Sequence, residues 1–93
     1  MYKVTYTHDF IKQLTKLTKK NKILQKKVNE VVSTLEIEPF YPGLMTHLIG
    51  QRNDYGHIWS SRVTGDIRIL WFFHPYQENT IVLTRIGGHD FVY

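Results

Sequence analysis

The spacing of apolar residues predicts one strand and two helices in the first part of the chain. Tyr2, Val4 and Tyr6 alternate with polar residues, which is the period of a half-buried strand. Thr7 can cap a first helix, and Asn21 is a break or cap before a second, so the helices form a hairpin. The residues expected on their apolar faces are Phe10, Leu14 and Leu17, then Leu24, Val28, Val31, Val32 and Leu35.

The rest of the chain predicts three strands after a long connection. Prolines and glycines interrupt residues 36–56, which are expected to form a loop. Runs rich in β-branched and aromatic residues follow at 57–63, 67–73 and 80–86, joined by short turns that indicate antiparallel hairpins. Alternation in the second run places Arg68 on the face away from the core. The order β-α-α-β-β-β predicts an α+β fold, with a helical hairpin packed on a small antiparallel sheet.

Length and composition narrow the class of protein. Ninety-three residues, 42% of them hydrophobic, are expected to form a single domain over residues 1–93. The chain has no cysteine, which excludes disulfides and thiolate metal sites and suits a reducing compartment. No stretch approaches the roughly 18 apolar residues that span a bilayer, and the N-terminus does not resemble a signal peptide. We expect a cytoplasmic protein without a membrane partner.

Positive charge is concentrated in the helices. The formal net charge is +4, and seven of the eight lysines lie in residues 12–27, where no acidic residue interrupts them. From charge alone, a solvated helix face is the simplest interpretation, and a surface that attracts polyanions such as RNA is the alternative. Membrane binding is a third possibility, but the apolar faces of these helices are expected to be used in the core.

Several residues in the second half suit phosphate chemistry. Asp66 follows the first predicted hairpin turn, His47 lies in the long loop, and two glycines precede His89 and allow a ligand to approach the backbone closely. Arginines occur on each of the three predicted strands: Arg62, Arg68 and Arg85. Each group also has a purely structural interpretation. Asp66 could stabilise its turn, His47 could close the loop, the arginines could form ion pairs, and Tyr93 could pack at the C-terminus.

RNA can be cut without a metal ion because its own 2′-hydroxyl serves as the nucleophile. Such a site needs a base for the 2′ proton, an acid for the leaving 5′ oxygen and cations for the phosphorane. Histidine and aspartate can act as the acid and base, and arginine supplies permanently charged, forked donors. The histidines show no metal-binding spacing, so neither a metal nor another cofactor is expected.

Three segments together resemble the RelE/ParE toxin superfamily, and its YafQ-like branch most of all. They are HLIG at 47–50, RVTGDIRI at 62–69 and RIGGHDFVY at 85–93. The C-terminal pattern of arginine, glycine, histidine and a final aromatic residue is the specific part. The resemblance covers essentially the whole chain. It implies a toxin that cleaves messenger RNA in the ribosomal A site, needs no cofactor and is blocked by a cognate antitoxin. On its own the toxin is expected to be monomeric.

The resemblance and the chemistry of the side chains together predict roles for individual residues. His89 is the expected general acid and either His47 or Asp66 the general base, while Tyr93 would orient the nucleotide. The scissile phosphate is expected to be held by Arg85 together with Arg68 and Arg62. Ribosomal RNA phosphates would be contacted by Lys16, Lys19 and Lys20.

One departure from the branch concerns Arg62, which stands where YafQ-type proteins carry a further histidine. A fixed cation therefore replaces a titratable group.

Two alternative functions are compatible with the same fold. One is a ParE-like inhibitor of DNA gyrase without nuclease activity, which would not need the acid–base residues. The other is a non-catalytic RNA-binding member.

Overall fold

The computed structural model describes residues 1–52 and 56–89. Its helices are α1 (His8–Thr18) and α2 (Lys22–Ile37), with a short 3-10 helix at Pro42–Leu44. Its strands are β1 (Lys3–Tyr6), β2 (His47–Arg52), β3 (Gly56–Arg62), β4 (Ile67–Phe73) and β5 (Thr80–Gly88). Two helices therefore pack on a sheet in an α+β fold, as the sequence predicts.

Both helices begin where their caps indicate. The Thr7 hydroxyl accepts a hydrogen bond from the Phe10 N–H at 3.1 Å, and the Asn21 side chain accepts one from the Leu24 N–H at 3.0 Å. Each bond satisfies one of the N–H groups that a helix leaves unpaired at its first turn. In α2 the buried residues are those of the predicted apolar face: Leu24, Val28, Val31, Val32 and Leu35.

The sheet differs from the prediction in the number and the direction of its strands. It has five strands in the order β1-β5-β4-β3-β2, and β1 pairs with β5 in parallel, so the sheet is mixed rather than antiparallel. Strand β2 lies inside the segment predicted as a loop. Its register shifts between Leu48 and Gly50, which leaves Ile49 without a partner. This bulge breaks the two-residue alternation, so no strand signal is visible in the sequence.

Apolar residues cover both faces of the sheet. On the helix side, Ile69 and Trp71 of β4 are fully buried against the helices. On the other side, Leu70 and Phe72 form a second cluster with Ile58 of β3. We call this second side the open face. The alternation of β4 confirms the predicted orientation of its core residues and places Arg68 on the open face. In the part of the chain that the structure describes, no helix has the length and apolar character of a membrane span.

Candidate active site

The turn between β3 and β4 is held by its own backbone and by one threonine. The N–H groups of Val63 and Thr64 both donate to the Ile67 carbonyl, at 2.9 and 3.2 Å. The Thr64 hydroxyl accepts hydrogen bonds from the N–H groups of Asp66 and Ile67, at 3.3 and 3.0 Å. These bonds fix the course of the turn and leave the Asp66 side chain exposed to solvent.

Two arginines meet at this turn. Arg62 and Arg68 are paired directly across β3 and β4. Arg62 Nε donates to the Thr64 carbonyl at 3.2 Å, and Arg68 Nη1 donates to the same oxygen at 2.7 Å. The acceptors that described residues offer to the two side chains are all neutral atoms, carbonyl oxygens and a thioether sulfur. Among the described residues, two like charges are therefore held together without a carboxylate partner, an arrangement that favours an anion.

Met45 connects the arginine pair to His47. Its sulfur accepts a hydrogen bond from Arg62 Nη1 at 3.3 Å, and its carbonyl oxygen lies 3.1 Å from His47 Nδ1. A carbonyl can only accept, so Nδ1 must carry the proton, and the neutral ring then has Nε2 as its unprotonated nitrogen. Met45 itself has a φ of 48°, in the left-handed region. This turn directs the chain into β2, and exposed His47 is its first residue.

Strand register places the predicted residues in two neighbouring rows. One row crosses the sheet as His47, Ser60, Leu70 and Arg85, and the next as Arg62, Arg68 and Gly87. Directly opposed residues share a face of the sheet, and Leu70 belongs to the open-face cluster. His47 and Arg85 stand at the two ends of the first row. With strands about 4.8 Å apart, their backbones are roughly 14 Å from each other.

Asp66 lies against Gly88, the residue before His89. A Cβ added to Gly88 would lie 3.0 Å from Asp66 Oδ2 and 3.4 Å from Oδ1, so the carboxylate rests against the end of β5. His89 follows directly and is exposed. A glycine at this position is what allows the carboxylate to approach the strand so closely.

The remaining predicted residues are more dispersed. Lys16 and Arg85 both line a cavity between α1 and β5. Lys19 and Lys20 are exposed at the C-terminal end of α1. Tyr93 falls outside the described residues, so its role stays a prediction. Sequence reasoning missed Met45, whose contact with Arg62 becomes visible only once β2 and β3 are paired.

Metal ligands are not clustered in the described ranges. Residues 1–52 and 56–89 contain no group of three histidine or acidic side chains that could hold a metal ion. The groups that the structure offers to a ligand at this site are imidazole, carboxylate and guanidinium.

Solved structures with the same architecture are toxins. A metal-bound toxin from Helicobacter pylori is 26% identical, with each chain fully covered and a TM-score of 0.78. The YoeB/ParE toxin from Agrobacterium tumefaciens is 15% identical over 94% of this chain and 98% of that one, with a TM-score of 0.76. The E. coli DinJ–YafQ toxin–antitoxin complex has a chain 19% identical over 99% of this chain and 97% of that one, with a TM-score of 0.70.

This chain has the RelE/ParE toxin fold. The resemblance carried by the three sequence segments is thereby confirmed for the fold. The likeness includes both YafQ and YoeB/ParE toxins, and identities are low, so it extends to the architecture of the superfamily. No protein-family model matches the sequence, and no curated protein does.

Proposed function

We propose that this RelE/ParE-fold protein is the toxin of a type II toxin–antitoxin pair and a metal-independent endoribonuclease that cuts messenger RNA on the ribosome. The observation that carries the proposal is the position of Met45 between two reactive groups. Its carbonyl binds His47 Nδ1 and its sulfur binds Arg62 Nη1. A basic imidazole nitrogen and a pair of arginines without carboxylate partners among the described residues thus adjoin one another, as phosphate cleavage requires.

The reaction follows from these groups. His47 Nε2 takes the proton of the RNA 2′-hydroxyl, and the 2′ oxygen attacks the adjacent phosphorus. The bond from phosphorus to the 5′ oxygen breaks, and His89 gives that oxygen a proton. The products are a 2′,3′-cyclic phosphate and a 5′-hydroxyl end. Arg62 and Arg68, with Arg85 at the far end of the first row, stabilise the charge of the phosphorane.

In this proposal Asp66 assists the acid rather than the base. Its carboxylate lies against Gly88, the residue before His89. A carboxylate beside an imidazole can accept a hydrogen bond from the ring and orient it for proton transfer. We therefore propose His47 as the base and Asp66 as a partner of His89. Tyr93 stays in the proposal as the residue that stacks on or orients the nucleotide.

The ribosome and an antitoxin are the proposed macromolecular partners. Lys16, Lys19 and Lys20 would contact ribosomal RNA phosphates, which adds affinity without sequence preference. The structural likeness to the YafQ chain of a toxin–antitoxin complex supports a cognate antitoxin for this protein. We place the protein in the cytoplasm, where both partners would be present.

The decisive experiment is cleavage of a ribosome-bound message by purified wild type and by three histidine variants. His89→Ala and His47→Ala should each reduce cutting by more than about a hundredfold, the usual contribution of a general acid or base, while ribosome binding is retained. His57→Ala is the matched control. It is also exposed, but it alternates with Ile58 and so points away from the open face. Full cutting by His89→Ala would defeat the proposal, and trapping of gyrase on DNA by wild type would replace it.

The lysines require a separate experiment. Replacement of Lys16, Lys19 and Lys20 by glutamine should weaken ribosome binding and reduce the slope of log affinity against log salt by roughly 0.7 to 0.9 for each lost contact. Glutamine at Lys22, Lys26 and Lys27 removes the same charge from α2 and serves as control. If both triple variants weaken ribosome binding equally, the effect comes from net charge and not from specific contacts of Lys16, Lys19 and Lys20.

A further inference from the structure

A cavity of about 460 Å³ lies between α1 and the C-terminal half of β5. It exists because β1 is shorter than its partner. The parallel pairing of β1 with β5 ends at Tyr6 and Leu83, so from Thr84 onward α1 instead of a strand runs along this edge of β5. The volume is in the range of pockets that bind small organic molecules.

Gln13 links the helix to this edge and presents a hydrogen-bond donor. The Ile86 N–H donates to Gln13 Oε1 at 2.9 Å. Because a backbone N–H must meet the oxygen of the amide, the side-chain Nε2 group carries the two remaining hydrogens on the other branch. Gln13 also lines the cavity. The bond to β5 therefore fixes the orientation of the amide and leaves its NH2 group as a donor to a ligand.

Cationic side chains form much of the wall. Lys12 and Lys16 are exposed one helical turn apart on α1, and Arg85 borders the cavity from β5. Among the described lining residues Asp9 is the one carboxylate, against three cationic side chains. Such a group of donors suits an anion with several oxygens, and arginine and lysine are the side chains that bind phosphate most often.

Apolar surface completes the cavity. Leu17 and Gly88, both half-buried, line it together with buried Ile86 and Gly87. The volume exceeds what a single phosphate group needs, and these walls offer contact to a sugar or a base. The cavity therefore fits a phosphate that carries an organic group better than a free inorganic anion.

We propose that this cavity binds a nucleotide of the RNA strand next to the one that is cleaved. Gly88 belongs both to the cavity wall and to the contact with Asp66, so the cavity adjoins the candidate active site at this residue. In this inference Lys12, Lys16 and the Gln13 amide hold the phosphate of the neighbouring nucleotide, so Lys16 contacts the message rather than ribosomal RNA. This inference rests on the proposed ribonuclease function and defines the path of the substrate.

Binding to the intact protein by NMR, without any cleavage, tests the inference. A 2′-deoxy trinucleotide lacks the nucleophile and cannot be cut. It should shift the amide signals of Gln13, Ile86 and Gly88 together with those of His47. Adenosine 5′-monophosphate should shift only the cavity signals, with weaker affinity, and adenosine without phosphate should shift neither group. A mononucleotide that binds as tightly as the trinucleotide would overturn the assignment to an RNA strand.

Gln13→Glu is the sharpest variant. A carboxylate oxygen still accepts the Ile86 N–H, so the helix keeps its contact with β5, but the donor becomes an anion. Trinucleotide affinity should fall at least about tenfold, as for the loss of one charge-assisted contact. Lys12 and Lys16 changed together to glutamine should have a similar effect, and the matched change at Lys22 and Lys26 on α2 should have little.

The two proposals can fail independently. If the chain is not a ribonuclease but the cavity binds nucleotides, Gln13→Glu still weakens the trinucleotide although no message is cut. If the chain is a ribonuclease but the cavity binds nothing, Gln13→Glu leaves trinucleotide affinity and the KM for cleavage unchanged. That second result would overturn the inference alone.

Discussion

Thr46 Oγ1 and Ser61 Oγ lie 2.6 Å apart and join the segment before β2 to the middle of the sheet. Thr46 donates its hydroxyl hydrogen to the Pro39 carbonyl at 2.8 Å, and Trp71 Nε1 donates to Ser61 Oγ at 2.8 Å. Because each hydroxyl has one hydrogen, Ser61 must donate to Thr46, and the bonds run in one direction from the buried indole to the carbonyl. This series of hydrogen bonds holds Thr46 in place and so sets the position of His47, the next residue.

Loss of the Ser61 hydroxyl should therefore destabilise the fold. Ser61→Ala leaves the N–H of fully buried Trp71 without its acceptor, which costs about 1–3 kcal/mol of the free energy of unfolding. Thr46→Val should cost a similar amount, and Thr46→Ser, which keeps the hydroxyl, much less. Urea denaturation measures all three. If Ser61→Ala is as stable as the wild type, the hydrogen bond from the Trp71 indole contributes nothing to the free energy of unfolding.

The pairing of Arg62 with Arg68 should oppose folding through charge repulsion. Like charges directly across two strands are destabilising, and salt screens their repulsion. Arg62→Gln should thus gain stability relative to wild type as salt is lowered from 1 M to 0.01 M, by about 0.5 kcal/mol. Its affinity for RNA should fall in the same variant.

Two controls separate this pair from the net charge of the protein. Arg62→Lys keeps the repulsion and should show no gain at low salt. Lys3→Gln removes an exposed charge from β1, outside the pair. Denaturation curves at both salt concentrations give the comparison. A gain for Lys3→Gln equal to that of Arg62→Gln would assign the effect to overall charge.

Gly88→Ala should act through Asp66. The new Cβ would meet Oδ2 at 3.0 Å, so the carboxylate must move by a few tenths of an ångström. When Gly88→Ala is made in the wild-type protein, we expect kcat/KM for cleavage to fall severalfold. When it is made in an Asp66→Ala variant, it should cause no further fall, as expected for residues in direct contact. Gly50→Ala is the matched control, because a Cβ there meets no atom within 4 Å. Additive effects of the two substitutions would argue against the contact.

His74 should stabilise the β4–β5 hairpin without a part in activity. Its Nδ1 accepts hydrogen bonds from the N–H groups of Tyr76 and Gln77, at 3.1 and 3.0 Å. His74→Ala should lower the free energy of unfolding by about 1 kcal/mol. His74→Asn should recover part of it, since a short side-chain oxygen can accept from the same turn. Calorimetry decides, and equal losses for both variants would show that the acceptor is unimportant.

Local patterns in the sequence predicted much of the architecture. The predictions were correct for the helix caps Thr7 and Asn21, the buried face of α2 and strand β4. Each of these features depends on residues that are close together in the chain. Asp66 at its turn was also predictable, since turn chemistry is local. The chemical types in the candidate site follow from the same short segments.

Long-range pairing decided the rest. The sequence alone determined which chemical groups this protein has and which segments form helices and hairpins. Only the tertiary structure decided that β1 lies parallel to β5, that a bulged β2 follows Met45, and that His47 and Arg85 share a row. Register between distant strands depends on how the two faces of the sheet are buried together, and no short stretch of sequence contains that information.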